Sequence, residues 1–147
     1  MTRYLVDTNV ISAAAPTAAV TRPQLTAWMD AHSSALFLSA VTIAEIADGI
    51  AKAKREGGKR KAAALSAWLR TVLHLYGDRV LPLDAATAEI TGALSDLARA
   101  VVGHAPGFAD IVIAATARRY DLTILTRNGR HFAPMDAVVV DPFQGLP

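Results

Sequence analysis

Three carboxylates stand where an acid needs a reason to be kept. Asp7 ends the apolar run Tyr4-Leu5-Val6, read as a strand that delivers its side chain at the C-terminal end. Open α/β sheets place their ligand sites there. Glu45 falls in the first half of a helix expected over residues 40–53. Asp110 opens a helix in which positions 113, 114 and 117, Ile, Ala and Ala, share its face. An acid in line with an apolar stripe is costly unless it is paired or metal-bound. Brought together, such carboxylates bind hard divalent cations. A cation held this way activates water and stabilises the charge that builds on a phosphodiester during in-line attack. One ion and two, the latter about 4 Å apart, are both compatible with the sequence.

Each acid also has a plainer reading. Asp110 complements the positive end of a helix dipole. Thr42-Ile43-Ala44-Glu45 matches a capping box, in which the glutamate reaches back to the N-cap amide. Asp7 caps the helix after the first strand. Asp48, one turn beyond Glu45, reads as a solvated helix acid.

The elements that must position these acids alternate. Strands are expected around 4–6, 35–38, 80–83, 122–126 and 137–140, with Pro82 marking the third as an edge. Helices are expected over 10–15, 24–31, 40–53, 62–75, 85–101 and 109–120. Ser39 and Asp84 are N-cap candidates. Ile43, Ile46, Ala47 and Ile50 form the inward face of the third helix, and Leu65, Trp68, Leu69 and Val72 that of the fourth. Strands separated by helices give an α/β fold with a mainly parallel sheet and helices on both faces.

The chain has 147 residues, 52% of them hydrophobic and 19% charged, enough for one domain, 1–147, with a real core. It has no cysteine, so any metal is held by carboxylates, amides or imidazoles. His32, His74, His104 and His131 show no metal-ligand spacing, and His131 reads as a partly exposed structural histidine. The N-terminus does not read as a signal peptide, and no uncharged stretch is long and apolar enough for a bilayer, so a cytoplasmic protein with no membrane partner is expected. The net charge of +2 permits nucleic acid without demanding it. The charge is unevenly spread: Lys52, Lys54, Arg55, Lys59, Arg60 and Lys61 surround Gly57-Gly58, which suggests a helical hairpin with a basic tip around 52–61. That tip is an electrostatic footprint for RNA or a solvated helix end.

Four segments together carry a family resemblance. Leu5-Val6-Asp7-Thr8-Asn9-Val10, Ser39-Ala40-Val41-Thr42-Ile43-Ala44-Glu45-Ile46, Phe108-Ala109-Asp110-Ile111-Val112-Ile113-Ala114-Ala115-Thr116-Ala117 and Leu125-Thr126-Arg127-Asn128-Gly129-Arg130-His131-Phe132 resemble, in order and spacing, the PIN-domain toxins of VapBC type. Val139-Val140-Asp141-Pro142-Phe143 resembles the close of that family. The likeness spans essentially the whole chain. Each segment alone is a weak signal, and the ordered set is a strong one.

The resemblance implies a three-layer α/β/α sandwich and a magnesium- or manganese-dependent endoribonuclease. It implies a toxin that cuts RNA and a VapB-type antitoxin that blocks the site and carries the contact to DNA. A homodimer, and a larger toxin–antitoxin assembly, are also implied. By position, Asp7, Glu45 and Asp110 match the family's metal-site acids, and Asn9 and Thr126 the polar residues that order them. The turn after the fourth strand departs from the pattern: Asn128 stands near a place where the family often has an acid. Arg127 and Arg130 flank the site, as candidates for RNA phosphate or as plain surface residues. The competing class is a non-catalytic RNA- or protein-binding module with a degenerate metal site. A phosphoryl-transfer signalling domain fits less well, because Asp7 is followed by Thr8-Asn9 and not by a second acid. A dinucleotide-binding enzyme is excluded by the lack of a glycine-rich loop after the first strand.

Overall fold

The computed structural model describes residues 1–147. Five short strands, β1 (Tyr4–Val6), β2 (Leu36–Ser39), β3 (Val80–Leu81), β4 (Thr123–Leu125) and β5 (Val139–Val140), form one sheet in the order β3-β2-β1-β4-β5. Every pairing is parallel, with Leu5 opposite Phe37 on one side and Ile124 on the other. Pro82 follows β3 directly, and β3 is an edge strand as expected, because proline has no N–H to give a further neighbour.

The strand order carries the functional geometry. From β1 the chain moves outward one way through β2 and β3, then returns to the other side of β1 for β4 and β5. The direction reverses between β1 and β4. At such a switch point the connections leave in opposite directions and open a crevice beyond the strand ends.

Successive strand residues face opposite sides of the sheet and feed two cores. Leu5 and Ile124 join one cluster with Leu94, Ala98, Ile111 and Ala115, from helices α5 (Ala85–Val102) and α6 (Phe108–Tyr120). Val6, Leu36, Leu38 and Leu125 join the other. That second core is closed by α1 (Thr8–Ile11), α2 (Pro23–Ala31), α3 (Ala40–Arg55) and α4 (Lys59–Tyr76), through Val10, Met29, Ile46 and Leu69. The result is the expected α/β/α sandwich. From Ile111 to Ala117 α6 is buried on all sides, which its run of Ala and β-branched residues permits.

Local capping follows the sequence closely. Ser39 accepts a hydrogen bond from the Val41 amide and starts α3, and Asp84 accepts one from the Thr87 amide and starts α5. Between α3 and α4 the chain turns at Gly57, whose φ of 85° suits glycine, and leaves the basic residues 52, 54, 55 and 59–61 exposed at a hairpin tip.

Three expectations are corrected. The first helix is shorter than 10–15: Thr8–Ile11 is α-helical and Ser12–Ala14 is a 3-10 turn, because Asp7 starts the helix earlier and Pro16 follows. Ala47 is exposed; the inward face of α3 is Thr42 and Ile46, with Ile43 and Ile50 half-buried. Glu45 does not belong to a capping box. Ser39 is the N-cap, so the third helical position is Thr42, and Glu45 lies too far along to reach back.

Candidate active site

The crevice at the switch point is built around Asp7. Its amide donates to the carbonyl of Leu125 at 2.9 Å, which ties the end of β1 to the end of β4. Its side chain is buried, 5% exposed, yet both oxygens are hydrogen-bonded. Oδ1 accepts from the Thr8 amide at 2.7 Å, the helix-capping contact. Oδ2 accepts from the Thr126 hydroxyl at 2.7 Å and from Asn9 Nδ2 at 3.2 Å. The plain and the functional readings of Asp7 therefore coexist: one oxygen starts α1, the other faces the β4 turn.

Asn9 and Thr126 order this centre from both sides. Thr126 Oγ1 also accepts from the Asn128 amide at 3.0 Å, and Asn9 Oδ1 accepts from the Arg127 amide at 3.1 Å. Asn9 Nδ2 lies 3.3 Å from Thr126 Oγ1 as well. The turn after β4 is thus bound to the turn after β1 through side chains, and Asn128 contributes a backbone N–H to that network.

Glu45 reaches the site from α3. Its Oε1 accepts from the Thr8 hydroxyl at 2.6 Å, and the same hydroxyl lies 3.2 Å from that of buried Thr42. Asp110, in the first turn of α6, is partly buried, with Oδ2 3.2 Å from Nδ1 of His131. Two of the acids feel the charge of a neighbouring acid. Burial pushes the Asp7 carboxyl above the usual range; the Thr126 and Thr8 hydrogen bonds oppose this, and the negative charge of Asp110 adds to it. Burial also raises Asp110, against the pull of His131 and with a further push from Glu45.

As placed, no three Asp, Glu or His side chains converge on one point for an ion, since Glu45 is turned to Thr8 and Asp110 to His131. The chemistry of the donor set nevertheless fits a hard cation. It offers carboxylate oxygens, and two of its acids are raised by burial and by the charge of a neighbouring acid, which a cation relieves.

Sequence reasoning missed two participants. Thr8 is the bridge to Glu45, a role that needs α1 and α3 side by side. His131, partly exposed as expected, pairs with Asp110 across 21 positions of sequence, a contact no local pattern shows. Its place in the same segment as Thr126 and Asn128 was the available signal. Arg127 is also placed differently: its guanidinium lies 4.0 Å from the centre of the Phe143 ring, with Arg22 4.6 Å from the same ring.

Fold and site together define a class: a parallel α/β/α sandwich whose switch point holds interacting carboxylates from β1, α3 and α6. The PIN domain profile matches residues 4–137. The chain is 34% identical over 140 residues to Toxin FitB of Neisseria gonorrhoeae, covering 95% of this chain and 97% of that one. It is 33% identical over 144 residues to VapC ribonuclease Y4jK of Sinorhizobium fredii, covering 95% and 97%. The crystal structure of FitAcB from Neisseria gonorrhoeae matches with a TM-score of 0.82 at 33% identity, over 95% of this chain and 98% of that one. DNA-bound VapBC from Salmonella typhimurium shares the fold, with a TM-score of 0.68 at 21% identity over 96% and 98%. The chain belongs to the PIN domain family, as the four segments implied.

Proposed function

We propose that this protein is the toxin of a VapBC-type toxin–antitoxin pair and acts as a metal-dependent endoribonuclease. The observation that carries the reading is that Asp7 and Asp110, 103 positions apart, are both raised by burial and by a neighbouring acid, Asp110 acting on Asp7 and Glu45 on Asp110. The relatives named as a toxin and as a ribonuclease support it.

Asp7, Glu45 and Asp110 would hold magnesium or manganese, with water completing the shell. Bound there, the cation supplies an activated water and charge stabilisation at the phosphodiester. The chain's own residues prepare the place. Thr126 and Asn9 fix the Asp7 carboxylate, while Glu45 would have to turn from the Thr8 hydroxyl to reach an ion. His131 holds Asp110. The basic tip, with Lys54, Arg55, Lys59, Arg60 and Lys61, draws in the RNA backbone, and Arg130 reaches the RNA beside the site. The solved FitAB and VapBC assemblies support a VapB-type antitoxin as partner, with DNA reached through it. A homodimer is proposed on family grounds.

The test is cleavage of total cellular RNA by the purified protein with magnesium or manganese, alongside Asp7→Asn and Asp110→Asn and a chelator control. Metal-dependent cleavage lost in both variants is expected. Asn128 near the fourth acid position and the divergence of the three acids favour one alternative, a binding module with a degenerate site. Thermal unfolding separates the two. A cation that binds only the folded chain raises its stability, by about 2.7 kcal/mol at a hundredfold excess over its dissociation constant. A degenerate site shows the same metal response in the wild type as in Asp7→Asn.

A further inference from the structure

Beside the carboxylates lies a cleft of about 440 Å³ between the α5–α6 loop and the turn after β4. Its wall includes His104, Pro106, Asp110, Arg130, His131 and Pro134. We propose that it is a nucleobase subsite selecting guanine next to the scissile phosphate, an inference that rests on the ribonuclease reading above.

Position is the first reason. Asp110 and His131 belong both to the carboxylate site and to the cleft, so a nucleotide whose phosphate lies at the acids places its base or a neighbouring one in the cleft. Size is the second, since the volume lies within the range of small-molecule pockets and admits one nucleoside. The lining is the third. Pro106 and Pro134 give the cleft apolar lining, and single-stranded RNA is read through splayed bases whose edges accept and donate hydrogen bonds.

The polar groups set the choice of base. Arg130 is exposed and takes part in neither ion pair of the protein, so its guanidinium is free for a ligand. It carries donors only. Guanine presents two acceptors side by side, O6 and N7, whereas adenine pairs N7 with an amino donor and cytosine presents an amino donor. His104 Nδ1 lies 3.3 Å from the carbonyl of Ala105. In the tautomer that donates there, Nε2 is an acceptor, complementary to the amino group of guanine.

Fluorescence anisotropy with RNA hexanucleotides in chelator, which withholds the cation that cleavage needs, tests the subsite without relying on activity. The wild type is expected to bind a guanine-containing hexamer roughly tenfold more tightly than its adenine counterpart, as a bidentate arginine contact provides. Arg130→Ala and Arg130→Lys should erase that difference, and His104→Ala should reduce it. Both residues are exposed, so the variants are expected to keep the wild-type melting temperature. Equal binding of the two hexamers by the wild type, or a preference that survives Arg130→Ala, overturns the proposal. Mapping cleaved RNA ends separates this from the parent reading. Preference without cleavage removes the nuclease and keeps the subsite; cleavage without guanine enrichment near the cut does the reverse.

Discussion

The hydroxyl of Thr126 donates a 2.7 Å hydrogen bond to the carboxylate of Asp7, across 119 positions of sequence and the switch point of the sheet. The same oxygen accepts from the Asn128 amide, so one small side chain fixes both the acid and the turn beside it. Thr126→Val keeps the shape and removes the hydroxyl. It leaves a buried carboxylate oxygen with only Asn9 as donor and strands a backbone N–H. Urea unfolding should show a loss of about 1–3 kcal/mol. RNA cleavage should fall with it, and Thr126→Ser should restore both.

Asp7 trades stability for chemistry. Its folded pKa lies above 3.8, so its contribution to stability is complete below that value and is lost as pH rises through the folded value. In chelator at pH 7, Asp7→Asn should therefore be at least as stable as the wild type, while its cleavage falls roughly a hundredfold or more. The gap in unfolding free energy between variant and wild type should narrow as pH is lowered from 7 toward 4. A variant that is less stable at pH 7 by a margin independent of pH would mean that the hydrogen bonds to the carboxylate outweigh its burial.

The basic tip makes a separate prediction, because its charge works through the RNA backbone and not through the acids. Reversing Lys59, Arg60 and Lys61 to glutamate should weaken binding of all RNA sequences alike. The slope of log affinity against log salt should flatten by about 2, as expected for three lost phosphate contacts on single strands. Binding and slope left at wild-type values would assign the tip to the solvated helix ends.

Phe143 anchors the C-terminal segment through Arg22 and Arg127, both stacked on its ring. Phe143→Leu keeps an apolar side chain and removes the π face. Each exposed cation–π contact contributes about 0.5–1 kcal/mol, so a loss of about 1–2 kcal/mol is expected for the two. Because the Arg127 amide donates to Asn9, hydrogen exchange at residues 127 and 128 should accelerate. Unchanged exchange there would show that the turn is held by Asn9 and Thr126 alone.

The sequence by itself determined the alternation of strands and helices, the caps at Ser39 and Asp84, the edge position of β3 and the hairpin around Gly57. These follow from interactions within a few residues: hydrophobic period, capping side chains, proline and glycine backbone limits. It also marked Asp7 and Asp110, because each stands at the boundary between an apolar run and a turn. Tertiary structure alone decided how the side chains are used. Thr8 holds Glu45 because α1 lies against α3, and the local motif that suggests a capping box is overruled by Ser39 starting the helix earlier. His131 pairs with Asp110 because the turn after β4 and the first turn of α6 meet at one crevice. Arg127 lies on Phe143, which reaches it only after β5 has joined the sheet. Such contacts depend on which strand lies beside which, and that order was set by burying the two faces of the sheet, a property of the whole chain.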